Sequence, residues 1–219
     1  MGSIKMIKYW QENNQMMLSL TWQHLVLVIS SLVLATIIAV IIIALFLRKK
    51  NWLKALTYFF SLLYSVPSFA FFALLIPLTG LGTTSAIIVL VIYSEYVLLR
   101  NFITGIQEVD PSYLEVAKGL GMNERQIFLK VQLPLAMSAI FSGLQIALCS
   151  TMAIATIAST ISAGGLGDLL FEGLQTGRIE PILWGTILTA CLSLYFMLML
   201  KLLENVISGS WRNALKGEN

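Results

Sequence analysis

The sequence predicts an all-α, polytopic membrane protein with five transmembrane helices, its N-terminus outside, its C-terminus inside, and short helices in the cytoplasm. Three observations predict this class. Of 219 residues, 58% are hydrophobic and 11% charged, a balance that ordinary soluble domains of this length do not show. The apolar residues gather into five runs of spanning character, one interrupted by a proline and one short. Lysine and arginine fall almost wholly on one side of those runs.

Residues 1–20 read as an N-terminal extracytoplasmic segment, ahead of a membrane domain over residues 21–203 and a cytoplasmic tail over 204–219. Ile4, Met6, Ile7 and Trp10 alternate with Lys5, Lys8 and Glu12, which suits a weakly amphipathic helix on the outer surface or a segment without structure. It has no apolar core followed by small cleavage-site residues, so the first long apolar run is expected to stay in the protein. That run, residues 22–47, exceeds the roughly 20 residues needed to span. Arg48, Lys49, Lys50 and Lys54 follow it as the densest positive cluster.

The second span covers residues 53–78 and is broken by Pro67, with Pro77 near its far end. A proline in mid-membrane frees a carbonyl that Ser65, Ser68 or a neighbouring helix must satisfy, so a kinked helix packed on protein is expected. Residues 79–85 form a turn, and the short third span, 86–99, contains Glu95 before Arg100 and Asn101. The fourth span, 135–162, is rich in small and hydroxylated residues, which lets neighbouring backbones approach or lines a polar path. Residues 163–181 hold a glycine-rich turn and an amphipathic helical piece, and residues 182–203 form the fifth span.

Orientation follows from the excess of cations in cytoplasmic loops. Arg48, Lys49, Lys50, Lys54, Arg100, Lys118, Arg125, Lys130, Lys201, Arg212 and Lys216 lie on one side, and only Lys5, Lys8 and Arg178 on the other. The first side is cytoplasmic. The net charge of +3 sits at membrane ends and not along one soluble face, so nucleic-acid binding is not indicated. Cys149 and Cys191 stand in apolar runs and are expected as small buried residues, and His24, the sole histidine, as an interfacial one beside Trp22. No metal site and no catalytic constellation can be built from these residues. There is no phosphate-binding Gly-x4-Gly-Lys-Ser/Thr loop, so the chain is not expected to hydrolyse ATP itself.

The one long polar interval is residues 110–134. Asp110 followed by Pro111 is a helix start, because the carboxylate accepts from first-turn amides and proline loses nothing at the first helical position. A helix to about Lys118, a bend at Gly119 and Gly121, and a second helix capped by Asn123 with Gln126 should follow. The spacing of Glu115, Ala117, Gly121, Val131, Leu133 and Pro134 resembles the cytoplasmic coupling motif of ABC importer permeases. Val116 replaces one of the two small residues usual there, and Val131 the usual isoleucine. The resemblance implies that this knob docks on separate ABC ATPase subunits, which hold the ATP and Mg, while this chain carries no cofactor.

Other passages resemble one branch of that family, the type I permeases for glycine betaine, carnitine, choline and related quaternary ammonium osmoprotectants. They are Trp22-Gln23-His24-Leu25, Val66-Pro67-Ser68, Ile76-Pro77-Leu78 with Gly80-Leu81-Gly82, Tyr93-Ser94, Arg100-Asn101, Thr104-Gly105-Ile106 and residues 162–168. The resemblance implies a bacterial cell-membrane importer subunit working with a second permease chain, identical or related, and an extracytoplasmic substrate-binding protein. Pro67, Ser68, Tyr93, Glu95 and Gln145 are the expected path or gate residues; Gly164, Gly165, Gly167 and Asp168 are the expected contact for the binding protein. Residues 164–181 equally suit a lid packed on the chain's own helices. Glu95 and Gln145 depart from the branch, and an intramembrane carboxylate by default marks a pathway or a buried partner. Glu95 either faces the path, helped by the rings of Tyr93 or Tyr96, or pairs with Arg100 or a neighbouring subunit. An importer of another small zwitterion or amino-acid derivative, and a non-transporting membrane scaffold, are the alternatives. A secondary transporter fits less well, given the odd span count and the single acidic residue within the spans.

Overall fold

The computed structural model describes residues 2–47 and 49–216, with side chains over residues 4–47 and 49–208. Arg48 lies outside the described residues, as do the side chains of Arg212 and Lys216. The described residues contain helices and turns and no strand.

From Ser3 to Phe46 the sequence has neither glycine nor proline, and α1 accordingly runs unbroken over Gly2–Phe46. Residues 2–20 are therefore a continuation of the helix of the first span and not a separate surface helix. They are docked: Tyr9, Met17 and Leu20 are buried with Leu166 and Leu169, the Trp10 and Trp184 rings lie 4.9 Å apart, and Trp184 Nε1 donates to the Met6 carbonyl at 3.1 Å. His24, expected at an interface, lies instead on the buried face of α1. Its place three to four residues from Leu20, Leu27 and Val28 puts it on the same apolar stripe.

Pro67 does more than kink the second span. It separates α2 (Lys50–Ser65) from α3 (Ser68–Thr79), and the two meet at a bend of 98°. The Val66 N–H turns back to the Leu63 carbonyl at 3.2 Å, and the Val66 carbonyl accepts the hydroxyl of Tyr93 from the next helix. A neighbouring helix thus satisfies the break, while Ser65 bonds within its own turn to the Leu62 carbonyl.

That next helix, α4 (Thr83–Gln107), is the axis of the molecule, with most of its residues buried. After it come α5 (Pro111–Gly119) and α6 (Glu124–Ile127), and then α7 (Leu133–Ala158), which packs along α4 at glycine contacts. A Cβ on Gly105 would lie 2.4 Å from the Ala139 Cβ, and one on Gly143 2.6 Å from the Asn101 Cβ. Ser94 and Thr151 share a buried hydrogen bond of 2.9 Å across the same seam. A 3₁₀ turn, Ser159–Ile161, ends α7; α8 (Gly167–Thr176) and α9 (Ile179–Lys216) complete the chain. Cys191 is exposed on α9 and Cys149 half-buried on α7, both free, so only one of them is partly enclosed as expected.

Among the described residues four helices are long and apolar enough to cross a membrane, and the bent α2–α3 pair makes a fifth when it counts as one span. At one end of the bundle the Gly82 N–H donates to the Ile161 carbonyl at 2.8 Å and the Gly165 N–H to Gln23 Oε1 at 3.2 Å. At the other end Ser138 Oγ donates to Glu204 at 2.8 Å, so the C-terminal half of α9 lies beside the start of α7.

Among the glycines of the described residues the tightest approach is at Gly167, where a Cβ would stand 2.0 Å from the Thr156 carbonyl oxygen and 2.5 Å from Ser159 Oγ. Gly167→Ala should destabilise the detergent-solubilised protein by about 1–3 kcal/mol, seen as a lower midpoint in a thermal unfolding scan. An unchanged midpoint would mean that α8 does not sit on α7 in this way.

Candidate functional site

The polar interval folds as read. Helix α5 starts with Asp110 accepting the Ser112 N–H at 2.8 Å. The Ser112 amide, and after it the Ser112 hydroxyl, hold the exposed Asp110 carboxyl below its ordinary pKa. The helix ends as glycine dictates: Gly121, at φ +78°, donates to the Lys118 carbonyl at 2.9 Å and Met122 to the Ala117 carbonyl at 3.2 Å. These are the two bonds of a Schellman close, which needs the left-handed residue that glycine supplies. Asn123 and Gln126 then form a reciprocal capping box at 2.9 Å each way, opening α6.

The second helix of the knob is not separate from the fourth span. From Glu124 to Ile161 the chain is continuously helical, passing through a π-turn at Phe128–Gln132 in which the Leu133 N–H reaches the Phe128 carbonyl. Pro134 supplies the cause, since it has no N–H for the Lys130 carbonyl and so disturbs the ladder one turn earlier. Gln132 Nε2 closes the joint by donating to the Ile106 carbonyl of α4 at 2.9 Å. The knob is therefore bolted to both α4 and α7.

Part of its exposed surface is apolar. Ala117 and Ile127 are buried, whereas Tyr113, Val116 and Leu120 are exposed by 56%, 64% and 77%. With Met122 and Val131 these three border an open hollow of 580 Å³. Glu115 is exposed on α5, and Val131, Leu133 and Pro134 are half-buried at the joint. The motif thus divides into residues that shape the knob (Ala117, Gly121, Pro134) and residues that show on it (Glu115 and the apolar side chains beside it).

The remaining expected site residues fall into separate places. Pro67 is exposed and Ser68 half-buried at the α2–α3 break, with Tyr93 holding it. Tyr64 and Phe71 ring the Tyr93 side chain at 5.4 and 5.8 Å. Glu95 is on the opposite side of α4, about 200° around the helix from Tyr93, and is 1% exposed with neither oxygen hydrogen-bonded. Arg100 does not pair with it; the guanidinium donates to the Tyr96 hydroxyl at 2.6 Å and lies 5.9 Å from that ring's centre. Gln145 is half-buried on α7.

In the glycine turn, Gly164 and Gly165 have positive φ, and a Cβ on either would strike Gln23 or His24 at 2.4 and 3.0 Å. Gly165 and Gly167 are buried, which fits the lid reading of this segment. Asp168 is half-buried in the first turn of α8, and burial raises its pKa. Leu174, Thr176, Arg178 and Ile179 are the exposed face beyond it. Sequence reasoning missed Gln23 and Gln132 as anchors, because nothing in a lone glutamine signals the distant backbone group it meets. No group of three or more metal-ligating side chains occurs among the described residues.

Residues 37–209 match the family of binding-protein-dependent transport system inner membrane components. The chain belongs to that family. A carnitine transport permease, OpuCB of Listeria monocytogenes, is 37% identical over 90% of this chain and 91% of its own length. The glycine betaine/carnitine/choline transport permease OpuCB of Bacillus subtilis strain 168 is 32% identical over 97% and 98%. A chain of the MetNI methionine ABC transporter, solved in inward-facing conformations, superposes with a TM-score of 0.75 at 17% identity, over 89% of this chain and 95% of that one, and shows the shared fold. The chain is an ABC transporter permease with a multi-pass helical body and not itself an enzyme of a catalytic family.

Glu95 gives the sharpest local test, because a buried carboxyl without a hydrogen-bond partner costs stability. Glu95→Leu should stabilise the solubilised permease by about 1–3 kcal/mol, raising its unfolding midpoint. A fall of that size would show that the carboxyl holds a partner.

Proposed function

We propose that this chain is one membrane subunit of an ATP-driven importer for a quaternary ammonium osmoprotectant of the glycine betaine, carnitine or choline type. It lies in a bacterial cytoplasmic membrane with its N-terminus outside, and pairs with a second permease chain to enclose the path. Separate ATPase subunits take the Glu115–Pro134 knob, and an extracytoplasmic binding protein delivers the ligand. ATP and Mg act on the ATPase, and this chain supplies no cofactor. The observation that carries this reading is the knob itself: a capped, Schellman-closed helix with exposed Tyr113, Val116 and Leu120, bolted by Gln132 to α4 and continuous with α7. The osmoprotectant class rests on the named transport of the relatives.

The mechanism uses rigid levers. Nucleotide-driven closure of two ATPase subunits draws the knobs together, and each knob transmits the pull to α4 and α7 at once, as rigid-body alternating access requires. The Pro67–Ser68 break with Tyr93 is the joint that yields, because there the Val66 carbonyl is held by a side-chain hydroxyl from another helix instead of by a helical ladder. Gln145 borders the path on α7. Glu95 reaches it only when α4 parts from its neighbours, since the carboxyl is sealed in this conformation. Outside, the exposed end of α8 beyond Gly164, Gly165, Gly167 and Asp168 meets the binding protein, while those glycines hold it in place.

The test is ATP hydrolysis by the complex assembled with the ATPase and binding protein, with and without glycine betaine, carnitine or choline. At least one of the three should stimulate hydrolysis in the wild type. Gly121→Val forces a β-branched side chain into a left-handed backbone, at a cost of about 1–2 kcal/mol, and should abolish the stimulation. Failure of all three ligands to stimulate the wild type removes the osmoprotectant reading; an unaffected variant removes the coupling role.

A further inference from the structure

A groove of 340 Å³ opens between α2 and α4, one turn and more below the Pro67 break. Its volume falls in the range of small-molecule sites. Lys54, Tyr58 and Ser61 face it from α2, and Tyr96, Arg100 and Gln107 from α4. No acidic side chain lines it among the described residues, and neither Lys54 nor Arg100 takes part in an ion pair there.

Arg100 is already aimed. Its contact with the Tyr96 ring and its bond to the Tyr96 hydroxyl fix the guanidinium, and one bond leaves most of its five N–H donors unused. A planar fork held in this way matches a carboxylate at two points. Tyr58, 65% exposed, offers a ring face to a quaternary ammonium group in the same groove. A bare cation would meet two positive side chains and no counter-charge.

We propose that this groove is a substrate site on the inner half of the path that recognises the carboxylate of a zwitterion, with Arg100 and Lys54 taking the carboxylate and Tyr58 the ammonium end. The inference rests on the osmoprotectant reading and sharpens it: the site favours carboxylate-bearing ligands such as glycine betaine and carnitine over choline, which has no carboxylate. Glu95 plays no part in it, being sealed on another face of α4.

The site is tested by occupancy, in the permease–ATPase complex without binding protein. Ser61→Cys is introduced after Cys149→Ser and Cys191→Ser, and modification of the new thiol by a maleimide is timed. Carnitine at about nine times its dissociation constant should slow labelling about tenfold, whereas choline at the same concentration should slow it by about twofold at most. Arg100→Gln and Lys54→Gln, made separately so that one misassembled variant does not decide the matter, should each remove the protection; Arg100→Lys should keep part of it. Absence of protection by carnitine, equal protection by choline, or full protection in both variants overturns the site. Carnitine-stimulated hydrolysis in the complete transporter with no protection of the introduced thiol overturns only this inference, whereas loss of the stimulation itself overturns the osmoprotectant reading beneath it.

Discussion

Every departure from helix within a membrane must return its backbone polar groups to a partner, because lipid offers none. Two departures from regular helix among the described residues fall at prolines, and each is answered by a group brought in from the packed structure. At Pro67 the freed geometry is closed by the Tyr93 hydroxyl on the Val66 carbonyl. At Pro134 it is closed by a π-turn in which Leu133 bonds Phe128, with Gln132 reaching the Ile106 carbonyl. Both repairs end on α4. The central helix therefore holds the bend of the α2–α3 pair and the root of the knob, and a displacement of the knob reaches the bend through one rigid element.

Glycine supplies the second part of that connection. Gly105 and Gly143 bring α4 and α7 so close that a Cβ at either would overlap a side chain of the other, so the two helices share a closely packed seam. At the opposite end Gly164, Gly165 and Gly167 seat the α7–α8 turn on Gln23, His24 and the Thr156 carbonyl. The same residue type thus serves tight packing at one end and a left-handed turn at the other. His24 has no hydrogen bond of normal geometry in this packing although it is fully buried.

Much of this was legible in the sequence because it depends on local chemistry. The Asp110–Pro111 start, the Gly121 close and the Asn123–Gln126 box each involve residues within a turn of one another, and each formed as expected. The run from Ser3 to Phe46 without glycine or proline also carried its message, that α1 has no break, more plainly than the weak amphipathicity of its first 20 residues. Long-range pairings were not legible. The partner of Val66 is 27 residues away, that of Gly165 142 residues away, and that of Trp184 178 residues away. Glu95 shows the same limit: its rarity as an intramembrane acid was evident, but its side of α4, and Arg100's preference for Tyr96, follow only from the packed helices.

The central claim is that the Asp110–Pro134 knob is the seat of an ATPase subunit, and cross-linking tests it most directly. Leu120, 77% exposed at the tip of α5, is replaced by cysteine after Cys149→Ser and Cys191→Ser, and the transporter is treated with a short bifunctional thiol reagent in membranes. The account predicts a permease–ATPase adduct whose yield changes with nucleotide and falls when Gly121 is replaced by valine. A cysteine at this position that is freely alkylated in an actively transporting complex, yet never joins the ATPase, would contradict it.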